Sequence, residues 1–317
     1  MGVSCPVCGA ITHYIVRSRS EVELESRLRA RFVEARLGHA PVGLEAMDLT
    51  EFMHGGPAEI VACAVCGTLR RKEQYAAQYD LDRYDSTLME HLYPRYRDAF
   101  ARKRDHFQPL LRPAAEVLEV GSHLGAFLEV AETWGWKPTG LDIGRETSAF
   151  ARRRGGSVKR VSLDGYSPAG RLDAIFIWNC FEQLENPWDT LRYARNLLSR
   201  HGIVVLRVPN AEFYRHPVHR PAQWFRALSY NNLLGFPYLN GYSLDALTRL
   251  LEFTGFEVVA SFATSLVTPP YPEIGPEVRK EWYRVRTETE HDGAASGPWI
   301  EIVGRAVSLP GVFFNKE

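Results

Sequence analysis

Predicted strands and helices alternate from residue 115 to residue 208, and this alternation constrains the fold more than any other feature of the chain. Short strands are predicted at 115–120, 138–142, 158–163, 172–178 and 203–208, with helices between most of them. A further helix is predicted before the first strand, over about 88–111, where Pro113 stops it. The fourth segment is almost continuously apolar, as strands buried on both faces of a parallel sheet are. The pattern therefore predicts an α/β domain whose open, mostly parallel sheet is covered by helices on both faces.

In such a sheet a ligand binds beyond the carboxyl ends of the strands, where the strand order reverses. A glycine-bracketed turn, Gly121-Ser-His-Leu-Gly125, follows the first strand, and the second strand ends in Asp142. Glycines let the backbone approach a ligand closely, and a carboxylate at the end of the second strand can accept both hydroxyl protons of a ribose. We therefore expect the turn and Asp142 to converge on one adenosine-containing ligand.

Four of the five cysteines form two near copies of one motif, Cys5-Pro-Val-Cys8-Gly and Cys63-Ala-Val-Cys66-Gly. A two-residue spacer lets both thiolates of a tight turn point at one ion, and the glycine lets the chain turn away. The four thiolates predict a closed tetrahedral shell for a structural Zn²⁺ ion, in a segment organised like a zinc ribbon. A rubredoxin-like iron site and redox activity of either pair are the alternatives for these residues.

The composition of the chain bears on which kinds of partner and which cell compartment are expected. Lys plus Arg and Asp plus Glu number 38 each, so net charge gives no attraction to nucleic acid or to an anionic membrane. No stretch approaches the roughly 18 apolar residues of a membrane span, and the first residues lack the pattern of a secretion signal. We therefore expect a cytoplasmic protein that acts on a small molecule and binds neither a membrane nor nucleic acid.

The segment Leu118-Glu119-Val120-Gly121-Ser-His-Leu-Gly125 resembles the first motif of class I S-adenosylmethionine (SAM)-dependent methyltransferases, in particular the bacterial group with an N-terminal zinc-binding segment. The acidic residue before the turn distinguishes this motif from that of dinucleotide-binding folds. The middle glycine of the family motif is His123 here. The resemblance covers about residues 70–308 and implies a Rossmann-like, doubly wound, seven-stranded, mostly parallel sheet that ends in an antiparallel hairpin, with SAM as cofactor.

The resemblance also implies which residues bind the cofactor. It places Asp142 at the ribose hydroxyls, Ile143 against the adenine ring and Asp164 at the adenine amino group, and a carboxylate such as Glu119 suits the methionine ammonium. The full implied set is Glu119, Gly121, Ser122, His123, Gly125, Asp142, Ile143, Leu163, Asp164 and Asn179.

The run Asn179-Cys-Phe-Glu182-Gln183 stands where the family has H-x-x-E-H, with both histidines replaced. An amide side chain cannot serve as a general base as an imidazole can. The candidate catalytic residues are therefore Glu182, His216 and His219, and the alternative for Glu182 is a helix-capping or structural role. Methyl transfer depends above all on alignment, so a dedicated base is not required.

The chain is predicted to have two parts. Residues 1–70 form a zinc-binding four-cysteine domain with a helical insertion, and residues 71–317 form a SAM-binding methyltransferase domain with lid insertions near 211–240 and 268–298. The predicted activity is methyl transfer from SAM to an oxygen, nitrogen or carbon atom of a small acceptor, such as a sugar or a natural-product intermediate.

Two alternatives to this activity remain open. One is a catalytically inactive binding or scaffold protein, which the replacements at positions 123, 179 and 183 favour. The other is an RNA or protein methyltransferase guided by the zinc domain, which would need a basic face.

Overall fold

A computed structural model of the chain describes residues 4–21, 59–72, 86–212, 239–264 and 299–307. The strands are β1 (His13–Arg17), β2 (Ile60–Cys63), β3 (Leu69–Arg71), β4 (Glu116–Val120), β5 (Lys137–Leu141), β6 (Val158–Lys159), β7 (Leu172–Trp178), β8 (Leu198–Pro209), β9 (Asn240–Gly241), β10 (Phe256–Thr264) and β11 (Trp299–Ala306). The α-helices are α1 (Ser86–Ala101), α2 (Arg104–Phe107), α3 (Ala126–Thr133), α4 (Arg145–Arg153), α5 (Pro187–Leu197) and α6 (Leu244–Phe253).

Seven strands form one sheet in the order β10-β11-β8-β7-β4-β5-β6. The five strands from β8 to β6 pair in parallel, and β11 runs antiparallel to both of its neighbours. The order reverses at β4, which has β5 on one side and β7 on the other. The doubly wound fold implied by the resemblance is confirmed, including its antiparallel hairpin. The expected ligand position lies beyond the carboxyl ends of β4 and β7.

Side chains on the two faces of this sheet enter two separate apolar clusters. In β7, Ile175 and Ile177 pack into one cluster, whereas Ala174, Phe176 and Trp178 pack into the other. Because successive side chains of a strand point to opposite faces, a strand buried in both clusters must be apolar at nearly every position. The continuous apolar run of β7 thus has the structural cause that the sequence predicted.

Two predicted elements differ from those observed. The helix predicted over 88–111 is divided, because α1 ends at Ala101 and α2 begins at Arg104. Between them lies Lys103, whose ammonium pairs with the fully buried carboxylate of Glu301, so a tertiary contact accompanies the break in the helical pattern. The third strand, predicted over 158–163, is only two residues long and forms the edge of the sheet.

The second sheet joins the cysteine-rich segment to the rest of the chain. Its four strands pair antiparallel in the order β1-β2-β3-β9, so its last strand comes from residues 240–241. The predicted domain boundary at residue 70 falls inside β3. The helical insertion beyond residue 21 and most of both lid insertions lie outside the described residues. Within the described part of the chain, no helix has the length and apolarity needed to cross a membrane.

Candidate active site and metal centre

The turn after β4 depends on its two glycines. Gly121 and Gly125 have φ angles of +73° and +75°, which are unfavourable for residues that carry a Cβ atom. A Cβ atom at Gly121 would also lie 2.8 Å from Sγ of Cys180. The backbone amides of Gly121 and Ser122 donate to the carbonyl of Leu141 at 2.8 and 2.9 Å. The turn is therefore held between the ends of β5 and β7.

His123 replaces the middle glycine of the family motif and adopts a backbone conformation that favours glycine. Its φ angle is +49°, which costs a non-glycine residue about 1 kcal/mol. Its amide donates to Oδ2 of Asp142 at 2.7 Å. Its imidazole packs edge-on against Tyr96 of α1, with ring centroids 5.6 Å apart. The substitution thus keeps a left-handed backbone and adds a contact to α1.

Asp142 is held by three hydrogen bonds at the end of β5. Besides the bond from His123, its Oδ1 accepts from the amide of Gly144 at 2.8 Å and from the hydroxyl of Thr147 at 2.7 Å. Burial raises the pKa of Asp142, and these bonds oppose the rise. A carboxylate offers about four acceptor positions, so Asp142 has room for about one ligand hydroxyl rather than both. Sequence reasoning missed Gly144 and Thr147.

Glu119 lies at the end of β4 and is only 3% exposed. Among the described residues, neither the buried Oε2 of Glu119 nor the hydroxyl of Ser122 has a hydrogen-bond partner. Burial raises the pKa of Glu119 well above its usual value, and the charge of nearby Asp142 raises it further. Because an unpaired buried carboxylate is costly, this position suits a bound cationic donor.

The remaining predicted cofactor residues differ in their surroundings. Ile143 follows Asp142 directly and is 52% exposed. Leu163 is buried in the apolar cluster of one sheet face. Asp164 is exposed, and a hydrogen bond from Ser162 lowers its pKa.

The residues after β7 that replace the family histidines hold the loop together. Asn179 has a φ angle of +52°, and its amide donates to the carbonyl of Arg207 at 3.0 Å. Its side-chain oxygen accepts from the guanidinium of Arg207. The side chain of Gln183 donates to the carbonyl of Asn179 at 2.7 Å. Both replacements therefore have structural hydrogen bonds.

Glu182 is completely buried, and no other residue in the described part of the chain forms a hydrogen bond with either oxygen of its carboxylate. Burial raises its pKa to about 8, while its own backbone amide and Arg207 act in the opposite direction. The side chain of Asn186 caps α5 by accepting from the amide of Asp189 at 3.2 Å, so Glu182 does not cap this helix. The other two catalytic candidates, His216 and His219, lie outside the described residues.

Cys180 has surroundings that keep its thiol protonated. Burial raises its pKa, and the neighbouring carboxylates of Glu182, Asp142 and Glu119 raise it further. A thiol is nucleophilic only as the thiolate. The interpretation of Cys180 as a small apolar residue is therefore favoured over a catalytic one.

Sequence reasoning missed a buried ion-pair cluster next to Asn179. Arg207 in β8 and Lys103 both pair with Glu301 in β11, and the side chains of Arg207 and Glu301 are 3% and 0% exposed. The guanidinium of Arg207 also lies 3.9 Å from the ring centroid of Trp299. Opposite charges flanked by apolar residues in these two strands were the available signal, since buried charges are normally paired.

The four predicted metal ligands come together at the ends of β1 and β2. All four sulfur atoms lie within 4.8 Å of one another. The sulfurs of Cys5 and Cys66 are 3.5 Å apart, as are those of Cys8 and Cys63. Tetrahedral zinc with Zn–S bonds of about 2.3 Å requires sulfur–sulfur separations of roughly 3.8 Å. These cysteines therefore fit a Zn²⁺ ion.

The two cysteine turns have the same local geometry. Gly9 and Gly67 have φ angles of +72° and +73°, and each donates its amide to the carbonyl of the first cysteine of its own pair, at 2.9 and 3.0 Å. In each turn an amide also points at that cysteine's sulfur, from Val7 at 3.5 Å and from Val65 at 3.4 Å. Such donors stabilise thiolates, which are the form that binds metal.

A cavity of about 400 Å³ lies between the second cysteine turn and the start of α6. It is lined by Val65 and Gly67 on one side and by Glu212 and Asp245 on the other. Its walls include no residue of the turn after β4 or of the end of β5, so it is separate from the predicted cofactor position.

Comparison with known proteins gives one family match and several distant structural likenesses. A family model described as a methyltransferase domain matches residues 89–261. No curated protein sequence matches the chain significantly.

Three solved structures illustrate the structural likenesses. A SAM-dependent methyltransferase from Archaeoglobus fulgidus is 18% identical over 70% of this chain and 100% of its own, with a TM-score of 0.49. One from Mesorhizobium loti is 16% identical over 66% and 99%, with a TM-score of 0.46. The plantazolicin methyltransferase BpumL, in complex with SAH, is 12% identical over 92% and 100%, with a TM-score of 0.44.

Proposed function

The chain belongs to the methyltransferase-domain family, and we propose from this premise that it transfers a methyl group from SAM to an oxygen, nitrogen or carbon atom of a small-molecule acceptor. The observation that carries the proposal is the pair of carboxylates at the reversal point of the sheet. Asp142 is oriented by three hydrogen bonds, and Glu119 beside it has an unpaired buried oxygen. A ligand with a ribose and an ammonium group complements this pair.

The roles of the individual residues follow from their surroundings. Glu119 would bind the ammonium group of the methionine part, and Asp142 would accept one ribose hydroxyl. Ile143 would cover one face of the adenine, because its exposed side chain adjoins Asp142. Bound SAM would supply an electrophilic methyl group on a sulfonium, for which alignment with the acceptor is the main requirement.

Proton transfer places a condition on Glu182. With a pKa of about 8, its carboxyl group is mostly protonated at neutral pH and cannot accept a proton there. Glu182 would serve as a base only under more alkaline conditions or after a change in its surroundings. His216 and His219 remain proposed proton acceptors from the sequence alone.

For the four cysteines we propose a structural Zn²⁺ ion. The site has four thiol ligands within 4.8 Å of one another and is of the closed type. The ion would stabilise the segment that carries β1, β2 and β3 rather than take part in methyl transfer.

Calorimetric titration of the purified protein with SAM and with S-adenosylhomocysteine (SAH), using NAD as the control ligand, tests the cofactor. We expect binding of the first two in the micromolar range and none of NAD. Failure of both SAM and SAH to bind would contradict the proposal and favour the second candidate, a binding or scaffold protein. That candidate is supported by the two replaced histidines, since Asn179 and Gln183 make structural hydrogen bonds.

A further inference from the structure

The two-residue strand β9 connects the four-cysteine sheet with the methyltransferase fold. On one side it pairs with β3, with Asn240 opposite Arg70 and Gly241 opposite Leu69. Just after it, Tyr242 forms a parallel bridge with Asn210, next to the end of β8. β9 and Tyr242 together therefore have hydrogen-bonded neighbours in both the four-cysteine sheet and the methyltransferase fold.

Residues 239–242, which include β9, also contact the 3-10 turn Phe181–Gln183, which carries Glu182. The amide of Leu239 donates to the carbonyl of Glu182 at 2.9 Å. The side-chain amide of Asn240 donates to the carbonyl of Leu184 at 2.9 Å. The ring of Tyr242, which is fully buried, lies 5.4 Å from the ring of Phe181. Contacts from three nearby residues thus hold this turn.

The first cysteine turn has a second connection to the same region. The indole N–H of Trp188 donates to the carbonyl of Val7 at 2.8 Å. Val7 lies between Cys5 and Cys8 and is fully buried. Trp188 is in the first turn of α5, which begins shortly after the 3-10 turn. Displacement of the first cysteine turn would therefore disturb the Trp188 end of the segment from Phe181 to Trp188.

The 3-10 turn also borders the predicted cofactor site. Cys180 precedes it directly, and its sulfur lies so close to Gly121 that a Cβ atom there would be 2.8 Å away. The chain of contacts thus runs from the cysteines through β3 and β9 to the 3-10 turn and then to the turn after β4. Each step is a hydrogen bond or a close packing contact between described residues.

We propose that metal bound by the four cysteines positions the Glu182 turn beside the cofactor site, and that Asn240 is the positioning residue that couples them. The inference rests on the proposed zinc and cofactor sites. One ion bound by all four sulfurs, which lie within 4.8 Å of one another, would tie the two cysteine turns together, and its loss would leave only weak contacts between protonated thiols. Removal of the metal should therefore loosen both cysteine turns, then β3 and β9, and with them the 3-10 turn.

Hydrogen–deuterium exchange of the full chain, read by mass spectrometry before and after metal removal, tests this coupling. Chelation under reducing conditions removes the metal, elemental analysis verifies its loss, and added Zn²⁺ restores it. We expect exchange in residues 239–241 and 181–184 to become at least about tenfold faster without metal and to recover with Zn²⁺. Exchange in β4 should stay unchanged. Unaltered exchange in 239–241 and 181–184, or equal acceleration in β4, would overturn the proposal.

Asn240→Ala separates the coupling from the metal site itself. The variant loses the donor to Leu184 but keeps the backbone pairing of β9 with β3, so it should retain its metal while exchange in 181–184 becomes faster. Asn196→Ala, which removes an exposed amide from α5, is the control and should match the wild type. Slow exchange in 181–184 of the metal-bound Asn240→Ala protein would rule out Asn240 as the coupling residue.

SAH calorimetry on the same samples distinguishes failure of this inference from failure of the proposed function. If wild-type protein does not bind SAH, the cofactor assignment fails, and the exchange data still decide whether the metal orders the Glu182 turn. If SAH binds but exchange in the turn is independent of metal, the inference alone fails.

Discussion

The guanidinium Nε of Arg207 lies 3.3 Å from Oε1 of Glu301, and both side chains are almost completely buried. Lys103 contacts the same carboxylate oxygen, and burial lowers the pKa of Lys103 while Glu301 opposes that effect. One carboxylate thus offsets two buried cations. The same arginine binds the side chain of Asn179, so the cluster supports the loop after β7.

Glu301→Gln should destabilise the protein strongly. The substitution keeps the shape of the side chain but removes the negative charge that pairs with two buried cations, and loss of one partner of a buried ion pair costs about 3–5 kcal/mol. Urea unfolding measures the change in the free energy of unfolding. Glu257→Gln on neighbouring β10, where the side chain is exposed, is the control and should change stability by less than about 0.5 kcal/mol. Equal stability of the two variants would contradict the structural role of Glu301.

Asp142→Ala should weaken SAH binding by at least about tenfold, equivalent to about 1.4 kcal/mol. The variant loses the ribose acceptor and the group that orients His123, Gly144 and Thr147. Its zinc content should be unchanged. Calorimetry measures the SAH affinity and elemental analysis measures the zinc content. Asp173→Ala is the control, because Asp173 lies at the amino end of β7, away from the expected ligand position. Normal affinity in Asp142→Ala would disprove the placement of the ribose.

Cys8→Ser and Cys63→Ser should each reduce bound metal and lower the Tm. A hydroxyl is a poor substitute for a thiolate in a closed zinc site, and metal binding contributes directly to folding. We expect a decrease of at least about 5 °C, or roughly 2 kcal/mol for a chain of this size. Cys180→Ser is the matched control, because Cys180 lies outside the cluster and should keep the metal in place. Full metal content in both ligand variants would refute the site.

Glu182→Gln should change how stability depends on pH. Because burial raises the pKa of Glu182 from 4.5 to about 8, the folded state keeps a proton that the unfolded state loses within this range. Wild-type stability should therefore decrease as pH rises from about 4.5 to about 8, by up to about 1.4 kcal/mol per pH unit from this group. Glutamine cannot titrate, so the variant loses this contribution.

Denaturant unfolding at several pH values measures the difference between Glu182→Gln and the wild type. The variant should gain relative stability up to about pH 8, and the difference should be constant above it. Effects of pH on the cysteines occur in both proteins and cancel in the comparison. Parallel stability curves across the range would show that Glu182 is not a buried, proton-retaining carboxyl group.

Local patterns in the sequence determined that the sheet is mostly parallel and which residue types form the two sites. The apolar run of β7, the positive φ angles of Gly121 and Gly125, and the paired cysteine turns all follow from residue types within a few positions of one another. Such features depend on backbone geometry and side-chain spacing, which a sequence displays directly. The third strand and the long helix before β4 were predicted too long, because their ends depend on distant partners.

Only the tertiary structure decided how these parts are connected. The pairing of β9 with β3, the bond from Trp188 to Val7 and the ion pair of Lys103 with Glu301 each join residues far apart in the chain. No local periodicity encodes such contacts, since each arises when the folded sheets bring together groups whose burial requires a partner. The same reason applies to the amide of His123, which reaches Asp142 only because the ends of β4 and β5 lie side by side in the sheet and which takes up one of the acceptor positions of that carboxylate.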